Sequence, residues 1–104
     1  MTVTIDSEEN EVRALSELAG SLAGKRILEI GCGDARLTNR YASQAAQVVA
    51  IDPNPERIAQ ARQNLLPGLE DRTTFHALGL EEFAAQNTQE LGQPFDVAML
   101  AYSL

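Results

Sequence analysis

The sequence predicts an α/β fold: a doubly wound parallel sheet with helices on both faces. Three observations predict it. Short apolar runs, Ile27-Leu28-Glu29-Ile30, Val48-Val49-Ala50-Ile51 and Phe95-Asp96-Val97-Ala98-Met99-Leu100, read as strands of a covered parallel sheet. They alternate with segments whose apolar residues recur at helical spacing. The first run stops at Gly31-Cys32-Gly33, and the second ends at Asp52, about twenty residues further on, as in nucleoside-binding βαβ units.

Each element has its own warrant. Residues 1–6 read as a polar arm. Ser7 is a plausible N-cap, and Val12, Leu15, Leu18, Ala19 and Leu22 form one apolar stripe over a helix 7–22, closed by Gly24. Strand 26–30 follows, then the glycine turn, then a helix over 34–45 carried by Leu37, Tyr41 and Ala45. After strand 48–51, Asp52-Pro53-Asn54-Pro55 turns the chain, with Asn54 as cap and Pro55 at the first helical position. That helix runs to about residue 65, where Pro67-Gly68 breaks it. Residues 73–77 read as a third strand, Leu78-Gly79-Leu80 as a turn, 81–89 as a short helix and 95–100 as a fourth strand. Right-handed crossovers place these strands in the order 3-2-1-4, with the reversal beside the glycine turn.

The chemistry gathers at that turn. Gly31 can take backbone angles closed to other residues, and Gly33 lets a ligand approach the main chain. The following helix would aim free N–H groups at the same place. The Asp52 carboxylate can accept from two vicinal hydroxyls at once, which suits a ribose diol. Asp34 and Arg36 fall at the helix start as a dipole partner and a solvated charge, with Asp34 close enough to touch a ligand.

The stretch Glu29-Ile30-Gly31-Cys32-Gly33-Asp34-Ala35 resembles motif I of the class I S-adenosylmethionine-dependent methyltransferases, an acidic residue, an apolar one, then Gly-x-Gly-x-Gly. Ala35 stands for the third glycine. Asp52 matches the acidic second motif, Ala77 to Leu80 the adenine-lining segment, and Phe95 to Leu100 the Phe-Asp-apolar strand. The resemblance implies a Rossmann-like fold and S-adenosylmethionine as cofactor, with S-adenosylhomocysteine as product. It implies that Glu29 helps hold the methionine ammonium end and that the turn at Gly31, Cys32, Gly33 and Asp34 wraps the methionine and ribose. By the same resemblance Asp52, with Pro53, takes the ribose hydroxyls, Gly79 and Leu80 lie at the adenine, and Leu100 and Tyr102 lie at the reactive end. Two departures stand out. Gly79 and Leu80 sit where the family often has an acidic residue, and the chain stops after the family's fourth strand, lacking strands 5 to 7. The expectation is one C-terminally truncated domain, 1–104, whose last strand is an unpaired apolar edge open to self-association.

Composition limits the partners. With 15 Asp and Glu against 8 Lys and Arg, the net charge of −7 opposes nucleic acid and anionic membranes. Leu100-Ala101-Tyr102-Ser103 also lacks the Asn/Asp-Pro-Pro-aromatic motif of methyltransferases acting on base amines. A single cysteine excludes an internal disulfide and a multi-cysteine metal site. No apolar run is long enough to span a bilayer and no signal pattern opens the chain, so a cytoplasmic protein with a small-molecule methyl acceptor is expected. No triad or metal site is visible. Cys32 reads as a small residue fitting the turn, and His76 stands alone in its strand. Two other readings remain: an NAD(P)- or FAD-binding module, against which stand the bulk of Arg36 at the sixth fingerprint position and the charge of Glu29, and a non-catalytic binding module.

Overall fold

Five parallel strands organise the molecule. The computed structural model describes residues 2–5, 22–86 and 94–101. The strands are β1 (Thr2–Ile5), β2 (Arg26–Ile30), β3 (Gln47–Ile51), β4 (Thr73–His76) and β5 (Val97–Ala101), and they lie in the order β1-β5-β2-β3-β4. Helices α1 (Thr38–Tyr41), α2 (Pro55–Asn64) and α3 (Leu80–Gln86) fill the crossovers. The four strands expected from the sequence therefore stand in the expected 3-2-1-4 order, each within two residues of its expected bounds.

Alternation along the strands divides the core into two layers. Ile27, Val48, Ala50, Val97 and Met99 pack with Tyr41 of α1 and with Ile58 and Ala61 of α2. Leu28, Val49 and Ile51 pack with Phe83 of α3 on the opposite face. The first two crossovers run one way along the sheet and the third returns, so right-handed connections put α1 and α2 on one face and α3 on the other. Helix α2 forms as its sequence dictates: the Asn54 side chain accepts from the N–H groups of Glu56 (2.9 Å) and Arg57 (3.4 Å), and Pro55 opens the helix.

Three expectations need correction. Residues 2–5 form strand β1 rather than a polar arm; Thr2-Val3-Thr4-Ile5 is uniformly β-branched, the composition strands favour. Strand β1 pairs with β5 along Thr2↔Ala98 to Ile5↔Ala101, so the last strand is not an open edge, and the edge proposed for self-association is already filled. The helix expected over 34–45 is a single turn, 38–41. Its start is blocked because Gly33 and Ala35 both adopt left-handed angles, φ 58° and 74°, which no right-handed helix accepts. The expected helix 7–22 lies, apart from Leu22, outside the described residues, as do 87–89 of the helix expected over 81–89.

Candidate functional site

All five strands are parallel, so their C-terminal ends form one rim. The register pairs Ile30 with Ile51 and Leu100, and Ile51 with His76. The rim therefore gathers the glycine turn after β2, Asp52-Pro53-Asn54 after β3, Ala77 to Leu80 after β4, and Ala101. Strand order reverses between β2 and β5, the place where open α/β sheets bind ligands.

The turn is held at three points. The N–H groups of Gly31 and Cys32 both donate to the Ile51 carbonyl, at 2.8 and 3.0 Å. The N–H of Gly33 donates to Oδ2 of Asp52 at 3.0 Å. Further on, the side-chain amide of Asn64 donates to the Asp34 carbonyl, that of Asn39 donates to the Asn64 carbonyl, and the Leu66 N–H donates to Oδ1 of Asn39. Gly31 has a second requirement. At φ 81°, a Cβ there would collide with the carbonyl oxygen of Ala101, so the residue must be bare for β5 to end against the turn.

Asp52 is buried, at 7% exposure, yet sits at the rim. Its Oδ2 accepts from Gly33 and its Oδ1 accepts from the Asn54 N–H at 2.9 Å. Its own N–H donates to the His76 carbonyl at 3.2 Å, which ties the ends of β3 and β4 together. A carboxylate offers roughly four acceptor positions, so two backbone donors leave about two for a ligand. The turn-stabilising role and the diol-binding role are therefore compatible in one side chain.

Glu29 is placed differently. It is fully buried, and its Oε1 accepts from the hydroxyls of Thr38 at 2.7 Å and Tyr41 at 2.5 Å. Burial, and then the Glu29 carboxylate beside it, holds the Tyr41 hydroxyl well above its ordinary pKa. Cys32 is buried too. Burial first, then the Glu29 and Asp52 carboxylates, push its thiol far above the usual range, which disfavours the thiolate. Three acidic side chains, Glu29, Asp34 and Asp52, flank the turn. Such a site favours a cation and opposes a diphosphate.

The other expected residues are spread along the rim. Asp34 is exposed, and its Oδ1 accepts from the Arg36 N–H at 3.3 Å; it precedes α1 by several residues and is no helix-dipole partner. Arg36 is exposed as well, so its bulk crowds nothing and that objection to a dinucleotide falls away. Pro53 is exposed, Gly79 and Leu100 are half-buried, and Leu80 shows 47% exposure. Tyr102 lies outside the described residues. The one-turn α1 is too short to supply the dipole once expected of it. Sequence pattern gave no sign that Thr38, Asn39 and Asn64 serve the turn, and it marked Tyr41 only as part of a helical apolar stripe. Thr38 and Tyr41 sit nine and twelve residues beyond Glu29, and only the folded turn brings them back to it.

Comparison with known proteins agrees with this geometry. The methyltransferase domain family matches residues 27–104. The ubiquinone biosynthesis O-methyltransferase of Bordetella parapertussis is 40% identical over 74 residues, which cover 69% of this chain and 30% of that protein. The magnesium-protoporphyrin O-methyltransferase of Rhodobacter capsulatus is 36% identical over 75 residues, covering 70% of this chain and 34% of that protein. The chain thus spans about a third of the length of these curated relatives. Among solved structures, magnesium protoporphyrin IX methyltransferase from Synechocystis PCC 6803 with bound SAM superposes with a TM-score of 0.68 at 24% identity, covering 88% of this chain and 42% of that one. A glycine turn and an Asp at the rim of a sheet ordered this way, together with a family match over 27–104, mean that the chain belongs to the methyltransferase domain family.

Proposed function

We propose that this chain carries the cofactor-binding part of an S-adenosylmethionine-dependent methyltransferase acting on a small molecule in the cytoplasm. The observation that carries the reading is Asp52: a rim carboxylate, tied to the glycine turn through Gly33, with acceptor positions to spare. The donor set fits the cofactor. Asp52 would take the ribose hydroxyls, the turn from Gly31 to Asp34 would line the methionine and ribose, and Pro53, Gly79 and Leu80 would border the adenine. The exposed Leu80 offers an apolar surface suited to an aromatic base. Leu100, near the end of β5, and Tyr102, beyond it in the sequence, would lie at the reactive end. The carboxylates around the turn suit a ligand bearing a sulfonium and an ammonium.

When bound, the cofactor supplies an activated methyl group on sulfur. The protein's part is then to orient that group and to hold the acceptor in line with it, which accounts for most of the rate in such transfers. Small-molecule acceptors are supported by the names of the ubiquinone and magnesium-protoporphyrin relatives. A net charge of −7 speaks against nucleic acid. No helix among the described residues is long and apolar enough to cross a membrane.

Calorimetry of the 104-residue chain tests the reading. S-adenosylhomocysteine is expected to bind and NADH is not. Asp52→Ala is expected to weaken the former by about 1.5–3 kcal/mol, the range for hydrogen bonds to a charged acceptor. Preference for NADH over S-adenosylhomocysteine would sink the proposal, and wild-type affinity in Asp52→Ala would remove the ribose assignment.

A further inference from the structure

We propose that Glu29 is a positioning residue: through the hydroxyls of Thr38 and Tyr41 it fixes where the glycine turn ends, and it does not touch the cofactor. The proposal rests on the cofactor reading above and assigns the site a support that the motif alone does not reveal. Glu29 lies in β2 between Ala50 of β3 and Met99 of β5, both completely buried. Strand alternation puts it on the same face as Ile27, under the layer that includes Leu37, Tyr41 and Ala42. No ligand at the rim reaches a carboxylate that is 0% exposed without the core opening first.

A charged side chain in an apolar layer persists only when it is hydrogen-bonded. Two of its hydrogen-bond donors come from one place. Thr38 and Tyr41 are the first and last residues of α1, the single helical turn that follows the glycine turn. The segment between Glu29 and Thr38 is thereby closed into a loop at its base. That loop needs outside support. Gly31, Gly33 and Ala35 hold φ of 81°, 58° and 74°, and a left-handed alanine persists only where its surroundings impose it. Asp52 holds the middle of the loop at the Gly33 N–H, and Glu29 holds its exit. One carboxylate thus faces the ligand from the rim while the other sets the frame from below.

The test compares two ligands. S-adenosylhomocysteine carries an ammonium, and 5′-methylthioadenosine lacks the whole amino-acid tail. Calorimetry on the 104-residue chain would measure both for wild type, Glu29→Gln, Tyr41→Phe and the double variant. Positioning predicts that each single variant loses about tenfold in affinity for both ligands alike, the size of one hydrogen bond, and that the double variant loses no more than the worse single one. A loss in Glu29→Gln confined to S-adenosylhomocysteine, with Tyr41→Phe unchanged, would mean direct contact with the ammonium and would overturn the proposal. If wild type binds neither ligand, the cofactor reading fails on its own. Amide exchange then decides the positioning claim: exchange at Gly33, Ala35 and Leu37 is expected to be about tenfold faster in both single variants. Unchanged exchange there would reject it.

Discussion

Two carboxylates serve the same turn from opposite sides, and their surroundings give them different work. Glu29 is fully buried and is met by two side-chain hydroxyls from α1. Asp52, at the rim, is met by two backbone N–H groups, of Gly33 and Asn54. A core carboxylate has no water to replace a lost partner, whereas a rim carboxylate does. The first should therefore matter more to stability and the second more to binding. Acidic residues near a glycine turn cannot be assigned to ligand contact by spacing alone.

The largest effect that would break this contrast is on folding. Glu29→Ala leaves two buried hydroxyls without their acceptor, at about 1–3 kcal/mol each, so a loss of about 3 kcal/mol or more is expected in urea unfolding. Asp52→Ala frees two backbone N–H groups, that of Gly33 buried and that of Asn54 only partly so, and about 1–2 kcal/mol is expected. Equal losses would mean that the two sites are not core and rim in the sense described.

Cys32 senses both carboxylates and gives a smaller, pH-dependent signal. Its folded thiol titrates far above the ordinary value because of burial, then Glu29, then Asp52. Below about pH 8.5 the folded and unfolded chains both keep this proton, and the group leaves stability unchanged. Above that, the unfolded chain releases the proton while the folded one retains it, so stability falls by up to about 1.4 kcal/mol per pH unit. Stability measured between pH 7 and 10 should bend downward in wild type and stay flatter in Cys32→Ala. The Tyr41 hydroxyl, raised by burial and then by the Glu29 carboxylate, adds its own decline above about pH 10. No bend in wild type would mean that the thiol is not sealed between the carboxylates.

Much of this arrangement was legible in the residues. The apolar runs, the Asn54-Pro55 start of α2 and the distance from glycine turn to Asp52 all depend on local chemistry, and the fold follows from them by handed crossovers. The failures have a common cause in contacts that local pattern does not encode. Thr2-Val3-Thr4-Ile5 has the β-branched composition of a strand, but it is the edge of β5 that gives it a partner. Helix α1 is one turn because Ala35, an ordinary helix former, stands left-handed where it is buried in the core. Glu29 turns inward because Thr38 and Tyr41 return to it. Gly31 reads as a turn residue, but its collision partner, the Ala101 carbonyl, lies seventy residues away.

The smallest effect probes the rim itself. Asn54 contributes twice: its N–H donates to Asp52, and its side chain caps α2. Asn54→Ala removes only the second, because the backbone N–H remains. A loss of about 1 kcal/mol in stability is expected, the usual size of an N-cap. Affinity for S-adenosylhomocysteine is expected to stay at the wild-type value, since Asp52 keeps both of its backbone donors. A drop in affinity as large as the drop in stability would show that the start of α2, and not Asp52 alone, sets the direction of the free acceptor positions. The rim carboxylate would then depend on its frame as the buried one is proposed to supply it, and the division of labour between the two would be one of degree.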